Sequence, residues 1–515
     1  MARPFFITTA IDYTNAAPHI GHAYEKILAD VLARYHRLKG EPVFFLTGVD
    51  QHGQKVQQTA QKEGLQPADF ATEVTKKFVA LWEKLGVQYD EWAATTAPRH
   101  KEVVRQILQR LYDAGEIYKA THSGFYSIRQ EQFLTDKDRG PDGEFGPEWG
   151  EVTEITEENY YFRLAKHRDW LLNFLDTHPG FVTPAFRQVE LRNAVEKLGG
   201  DLCISRPKAR LAWGIELPFD ADYVTYVWFD ALINYISFSG YLGEGGDFAS
   251  RWPALHVIGK DILVPAHGVY WPVMLHALGF SDEELPTLLV HGYINMSGAK
   301  MSKSLGNIVD PDALADRYGA EALRFYLMRE TATGQDMEFS EERLIQRYNT
   351  DLANDLGNLL NRTLSMAGRY REGVLKRPAA DTEFLAAIRE LGRTYEERLD
   401  QAQIHTALEA AWLLAAKCNA HIESEAPWKL AKDPEQAARL DAALYHLAEA
   451  LRVLSILIAP VLPNAARGMR EQLQITGEPR LAEVFTEGGG LPDGHRLGAP
   501  TPLFPRIETE KKTAS

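Results

Sequence analysis

The sequence predicts an α/β chain with a split parallel sheet, a small β-rich insertion and an all-α bundle at its end, and three observations predict it. Strand and helix signals alternate at two well-separated places. The stretch between them carries aromatic-rich short strands and many turns. After Glu338 the strand signals fade, and apolar residues recur at helical spacing instead. At 515 residues the chain exceeds one ordinary core and predicts two to four structural units.

In chain order, an apolar run at 5–10, helical spacing over 23–39 and a second apolar run at 42–47 form a βαβ pattern. The second unit comes much later, with a strand at 255–258, a helix at 270–278 and a strand at 287–290. Two such halves predict one parallel-sheet domain interrupted by the module at 118–215, which contains the glycine-rich turns of 136–150. Helical spacing over 344–364, 383–397, 404–422 and 437–458 predicts the bundle. The Gly- and Pro-rich stretch at 487–505 reads as a tail. The expected domains are therefore 1–117 and 216–330 for the two halves of the sheet and 118–215 for the insertion. A connecting segment at 331–345, the bundle at 346–485 and the tail at 486–515 complete the division.

Composition narrows the class. With 45% hydrophobic and 25% charged residues and no low-complexity tract, the chain is globular. Its first strand meets Asp12 at once, so a secretory leader is not expected. The apolar stretch at 453–462 is too short to cross a bilayer and contains Pro460, so no membrane partner is expected. Cys203 and Cys418 are too few for a disulfide framework or a four-cysteine zinc site, and a reducing cytoplasm is the expected location. A formal charge of -15 excludes indiscriminate nucleic-acid binding, so any RNA contact must be a restricted patch.

Two short strings carry the chemistry. His19-Ile20-Gly21-His22 follows a turn and directly precedes a helix, where backbone amides and the helix dipole attract phosphate. Gly21 permits close approach of a nucleotide, and His19 and His22, three apart, can donate to the same phosphoryl group. Taken alone, the pair reads as two helix-capping histidines. The second string, Lys300-Met301-Ser302-Lys303-Ser304, sits in a doubly cationic loop able to close over a triphosphate. Taken alone, it reads as a solvated basic loop.

Together, in this order, the two strings resemble the signature pair of class I aminoacyl-tRNA synthetases. The resemblance implies a split Rossmann-type domain in which an amino-acid carboxylate attacks the α-phosphate of ATP. Pyrophosphate leaves, and a terminal tRNA hydroxyl then takes the aminoacyl group. Lys300 and Lys303 would hold the pyrophosphate end with Ser302, and His19 and His22 the α-phosphate side. Gly21 and Glu25 would lie against ATP, and Mg²⁺ would accompany it.

The strings at 10–15, 47–53 and 227–231 resemble those of the methionyl-tRNA synthetase family, and the likeness extends to about Leu462. By that likeness Asp50 pairs with the substrate ammonium, while Ile11, Tyr13, Trp228, Ala231, Leu232, Tyr235, His267 and Trp271 enclose the methionine side chain. Spacing supports this, since 228, 231, 232 and 235 share one helical face and 267 and 271 are four apart. An aromatic pocket suits a polarisable thioether. Gly259 and Asp261 are implied at the ribose and Ile294 at the adenine. The segment 261–267 is a residue longer than the commoner family pattern, which leaves Ile262 and Leu263 as alternatives for the neighbouring wall.

A larger departure lies in the insertion, where many family members carry paired Cys-x-x-Cys motifs. Ser127, Gln130, Gly146 and Trp149 occupy those places, and such residues do not build a zinc site. A metal-free knuckle without structural zinc, plugged by Trp149, is expected. In the bundle, Asn358, Arg362 and Trp428 resemble the family's anticodon-reading residues, implying tRNA(Met) as partner. Three readings compete: a methionine-specific ligase, a class I enzyme for another apolar amino acid, and a non-catalytic tRNA-binding relative. The insertion of roughly a hundred residues is too short for a full editing domain, and the intact histidines, lysines and Asp50 oppose a non-catalytic role. An appended tRNA-binding barrel is not expected, and a monomer is.

Overall fold

The computed structural model describes residues 3–127, 132–134, 136, 139–140, 142–243, 247–296, 299–300 and 309–508. At its centre is a seven-stranded sheet whose strands are numbered here in chain order. They are β1 (Phe5–Thr9), β2 (Asp12–Tyr13), β3 (Val43–Asp50), β4 (Glu91–Ala94), β5 (Val182–Thr183), β6 (Leu255–Gly259) and β7 (Thr287–His291). The order is β2-β3-β1-β6-β7-β5, with β4 also paired to β3, and every pairing is parallel. Helices cover such a sheet on both faces, which is why β1 and β7 read as nearly continuous apolar runs. β1 lies between β3 of the first half and β6 of the second, so the two expected halves close into one sheet with a switch point between β1 and β6.

The helix Ile20–Leu38, α1, follows β2 and packs against β1 and β3 through Ile20, Ala23, Ile27 and Val31. A 19-residue helix rises about 28 Å. It therefore runs from the carboxyl edge of the sheet to the far side of the domain.

The inserted module opens on strands, and helices and a strand of the central sheet follow them. Its long strands Ile117–Ser127 and Val152–Phe162 pair antiparallel, but two helices follow, Arg168–Thr177 and Ala185–Glu196. Between these helices β5 returns to the edge of the central sheet beside β7. A two-residue strand carries almost no periodicity, so the sequence signal for this return is absent. The Arg139 guanidinium lies over both the Phe125 and Phe145 rings, at 4.9 and 4.2 Å from their centroids. Ser127 Oγ donates to the Trp149 carbonyl at 2.5 Å.

Helical structure resumes at Glu341 and continues to Arg371, with a wider, under-wound π-type stretch at Tyr348–Asn358. The helices Glu383–Asp400, Ile404–Glu425, Ala437–Leu457 and Pro463–Gln472 complete the bundle. The expected tail at 486–515 needs correction over its described part. Leu491 and Leu497 are buried against the bundle, Tyr445 Oη donates to the Leu491 carbonyl at 2.7 Å, and Leu375 N donates to the His495 carbonyl. Glycines and prolines here serve close packing: a Cβ on Gly490 would sit 2.6 Å from the Arg452 guanidinium carbon.

One apolar core joins the α1 side of the sheet to the bundle. Across that seam Arg324, 1% exposed, donates to Asp30 Oδ2 on α1 at 2.7 Å, to the Leu85 carbonyl at 3.2 Å and to the carbonyls of Pro460 and Val461 at 2.9 and 2.8 Å. Among the described residues no helix is long and apolar enough to cross a membrane.

Candidate functional site

A cavity of about 560 Å³ opens at the carboxyl edge of the sheet, at the switch point between β1 and β6. The loop after β1, the start of α1, the end of β3, the helix Val227–Ser237 and the segments after β6 and β7 all contribute to its wall. It therefore gathers residues from both halves of the chain.

His19 and His22 stand at one end, stacked with ring centroids 3.8 Å apart. Their capping bonds fix their chemistry. Gly21 N donates to His19 Nδ1 and His19 N donates to His22 Nδ1, each at 3.1 Å. A neutral imidazole that accepts at Nδ1 carries its proton at Nε2, so capping places the ring N–H of both histidines at Nε2. Burial, then the neighbouring His19 and Lys26, holds His22 well below the usual imidazole range, keeping it neutral. The bland capping role and the ligand role are thus the same geometry. A Cβ at Gly21 would meet His19 Cε1 at 2.9 Å, so a side chain there would displace that ring.

Beneath the histidines lies a buried chain of charges. Lys26, 0% exposed, spends its three donors on Asp12 Oδ1 at 2.6 Å, Glu25 Oε1 at 2.9 Å and the Ala10 carbonyl at 2.9 Å. Glu25 Oε2 bonds His291 Nε2 at 3.1 Å. Burial opposes the charge on Glu25, but Lys26 and His291 more than offset it and hold the carboxyl low. Asp12 differs, because burial pushes it up to about 7 against the pull of Lys26. Two carboxylates share one ammonium, and Glu25 keeps the fuller charge.

At the other end Tyr13 and Asp50 are register partners of β2 and β3, which sets them side by side. Asp50 is 5% exposed, and its Oδ1 accepts from Thr95 Oγ1 and His52 N at 3.3 Å. His52 Nδ1 in turn meets Asp230 Oδ2 at 2.9 Å, tying the β3 loop to the helix Val227–Ser237. Burial pushes Asp230 up to about 8 and His52 down to about 3, so the pair carries no net charge at neutral pH.

The helical face expected from spacing is present: Trp228, Ala231, Leu232 and Tyr235 all line the cavity with Ile11, Tyr13 and His267. His267 Nδ1 donates to the Ile262 carbonyl at 3.0 Å, so its Nε2 accepts from Tyr235 Oη at 2.7 Å. Burial takes His267 down to about 4 and keeps it in this neutral form. Gly21, Glu25, Gly259, Asp261, Ile262 and Ile294 also lie on the wall, whereas Leu263 is core. A Cβ at Gly259 would sit 2.6 Å from Asp261 Oδ1, so glycine lets that carboxylate fold back over the end of β6.

Not every expected residue reaches the wall. Trp271 is 0% exposed and stands behind Tyr235, its ring centroid 5.8 Å away and its Nε1 donating to His256 Nε2 at 3.1 Å. The inference from i, i+4 spacing failed because Leu263–Tyr270 is wound as a wide π-type turn, with Val264 extended, before the α-helix Trp271–Ala277 begins. Of the cationic loop, the Lys300 backbone pairs with Asn295, while its side chain, Ser302 and Lys303 lie outside the described residues, as does Gln130.

Lys55, Asn234, His291 and Tyr293 line the cavity without having been singled out. Asn234, three residues past Ala231, could have been admitted to the helical face. Lys55 gives no signal. At the far end of the bundle Asn358 is exposed, Arg362 bonds Glu423 at 2.8 Å, and Trp428, 37% exposed, follows on the next turn of chain.

The chain is similar to known proteins over most of its length. Residues 5–141 and 149–364 match the family described as tRNA synthetases class I (M), and 375–514 match the anticodon binding domain of methionyl tRNA ligase. A methionine–tRNA ligase of Deinococcus radiodurans is 44% identical over 98% of this chain and 75% of its own length. That of Bacillus subtilis is 41% identical over 99% and 79%. The Mycobacterium tuberculosis methionyl-tRNA synthetase in complex with methionyl-adenylate superposes with a TM-score of 0.90 at 38% identity, covering 98% of this chain and 100% of that one.

Proposed function

Because this chain belongs to the methionyl-tRNA synthetase family of class I aminoacyl-tRNA synthetases, we propose that the cavity at the β1/β6 switch point is where methionine and ATP meet. The chain activates L-methionine with ATP to methionyl-adenylate and transfers the methionyl group to the 3′ end of tRNA(Met). The observation that carries the assignment of the site is the joining, in one cavity, of two Nε2 donors at one end with a buried carboxylate and an aromatic face at the other.

In this reading the methionine ammonium pairs with Asp50 beside Tyr13, and the thioether lies among Ile11, Trp228, Ala231, Leu232, Tyr235 and His267. The neutral His267 and its Tyr235 donor present polar but uncharged atoms, which suits a polarisable sulfur. Trp271 serves from behind, by fixing Tyr235. ATP lies across the other end, with Gly259 and Asp261 at the ribose, Ile294 at the adenine and Glu25 beneath.

The carboxylate of methionine attacks the α-phosphorus, the bond to the bridging oxygen breaks and pyrophosphate carries away the electron pair. His19 and His22 donate from Nε2 to oxygen as negative charge grows there, with no proton transferred. Lys300, Ser302 and Lys303 are assigned to the departing pyrophosphate by their motif, and Mg²⁺ arrives with ATP as part of the substrate. Asn358, Arg362 and Trp428 read the anticodon, about one bundle length from the chemistry. Cytoplasmic location and a monomeric state belong to the same proposal.

ATP-pyrophosphate exchange across a panel of amino acids tests it: methionine alone should support fast exchange, and equal exchange with leucine, isoleucine or valine would overturn it. The insertion is proposed to be a metal-free knuckle, supported by Ser127, Gly146 and Trp149 at places where thiolates would bind zinc. Stoichiometric zinc surviving chelation in the purified protein would refute that part.

A further inference from the structure

The cavity takes its walls from parts of the chain far apart in sequence. Asp50 ends β3 in the first half of the sheet domain, whereas Trp228, Ala231, Leu232 and Tyr235 lie on the helix Val227–Ser237 in the second. A buried side-chain bond joins these two elements directly. His52, two residues past Asp50, meets Asp230, two residues past Trp228, with Nδ1 and Oδ2 2.9 Å apart. His52 is 2% exposed and Asp230 0%, and neither lies on the cavity wall.

Both partners are themselves held. The His52 backbone N–H donates to Asp50 Oδ1 at 3.3 Å, which links the ring's position to that of the carboxylate. The His52 ring meets Trp213 edge-on with 5.5 Å between centroids, and Trp213 Nε1 donates to the Gln51 carbonyl at 2.5 Å. Farther along the helix that carries Asp230, Ser237 Oγ and His100 Nδ1 lie 2.8 Å apart, pinning it to the helix Pro98–Asp113. A buried polar pair often stabilises a fold no better than an apolar pair of equal volume. What it adds is one defined geometry.

On the reading that methionine fills this cavity, we propose that the His52–Asp230 bond sets the length of side chain the cavity accepts. With the ammonium fixed at Asp50, the span from β3 to the helix Val227–Ser237 decides where the side chain must end. A longer thioether requires the helix to move away from β3, and the bond resists that movement. A shorter side chain leaves a gap before the apolar face. His52 and Asp230 touch no substrate atom, so they are positioning residues. Burial keeps the Asp230 acid protonated and the His52 imidazole neutral, so Oδ2 donates to Nδ1 and removing either partner strands no ion.

The experiment is ATP-pyrophosphate exchange by the full chain with L-methionine, with L-ethionine, one methylene longer, and with L-norvaline, one heavy atom shorter. Ratios of kcat/KM are read, because they do not depend on the fraction of protein that is active. Wild type should favour methionine over ethionine by about tenfold or more, and Asp230→Leu should reduce that preference by about tenfold, the worth of one methylene in an apolar pocket. Asp230→Asn should keep the wild-type ratio, because its amide N–H donates from the place of the acid O–H. His52→Ala breaks the same bond from the other side and should repeat the Asp230→Leu result, which answers the question even if Asp230→Leu fails to fold.

Unchanged ratios in both bond-breaking variants would overturn the proposal. So would an equal fall in kcat/KM for all three amino acids, the mark of a merely structural role, or an Asp230→Asn ratio shifted as far as that of Asp230→Leu. Asp50→Asn separates the two levels of failure. If it leaves the KM for methionine unchanged, the placement of methionine fails and this inference with it. If it raises that KM while the ratios stay fixed in Asp230→Leu and His52→Ala, only the role given to the His52–Asp230 bond fails.

Discussion

The cavity proposed for methionine and ATP and the bundle tip proposed for the anticodon are built in opposite ways. Several polar side chains at the cavity are already committed: Lys26, beneath it, has all three donors engaged, His19 and His22 have Nδ1 engaged by backbone amides, and His267 has both nitrogens engaged. At the tip Asn358 is exposed, Trp428 is 37% exposed, and Arg362 is held only by a solvent-facing bond to Glu423. A small substrate held for phosphoryl chemistry needs donors fixed before it arrives, whereas an unstacked base needs an open ring to lie on. The same chain therefore pairs a rigid site with a yielding one.

Substitutions can break that contrast or sharpen it. The largest effect is expected for His22→Ala, which removes a prearranged Nε2 donor: the kcat of methionine-dependent pyrophosphate exchange should fall by about 10²–10³, as for other lost oxyanion donors. A fall of less than threefold would mean the histidines only cap the helix. Next comes Trp428→Ala, which should lower kcat/KM for tRNA charging by about ten- to a hundredfold, the worth of one base stacked on an aromatic ring. Its exchange rate should stay within about twofold of wild type if, as two independently acting regions require, nothing couples the tip to the chemistry. Parallel loss of both activities would erase the distinction between the two regions.

A smaller change should follow Tyr235→Phe, which leaves His267 Nε2 without its donor. The KM for methionine should rise by about five- to tenfold, near 1 kcal/mol for one neutral hydrogen bond, with kcat much less affected.

The smallest is a flat line. Because burial holds His267 at about 4 against an ordinary 6.5, it is neutral throughout the range in which an exposed imidazole would titrate. Methionine affinity should therefore show no inflection between about pH 5.5 and 8 attributable to this ring. Stability follows the other sign. The unfolded chain takes up a proton at His267 near 6.5 while the folded chain does so only near 4, so this ring's contribution is lost as pH falls through that window. An inflection in methionine KM near 6.5 that vanishes in His267→Gln would show the ring to be exposed in solution.

What the sequence disclosed depended on how local the geometry was. The His-Ile-Gly-His string, a cap and the first turn of one helix, is complete within four residues, so its position and capping both followed from the string. The face of Trp228, Ala231, Leu232 and Tyr235 was legible because that segment is a regular α-helix. The identical argument failed for Trp271 because the intervening turn is wound more widely, and nothing in Leu263–Tyr270 announces a π-type turn to a reading based on 3.6 residues. Lys26 was missed for a different reason: its partners, the Ala10 carbonyl after β1 and Asp12 in β2, meet it only through the folded approach of α1. The closing strand β5 and the packed C-terminal segment were unreadable because each is pinned by distant partners rather than by its own pattern.

The Arg324 fork has a consequence for how the molecule comes apart. Its guanidinium is satisfied only while α1, the turn after Leu81–Lys84 and the Pro460–Val461 corner are all in place. Cutting the chain between sheet and bundle would leave Arg324 its Asp30 and Leu85 partners but remove the Pro460 and Val461 acceptors with the other fragment. The architecture looks modular on paper, yet sheet and bundle share one core and should melt in a single cooperative event.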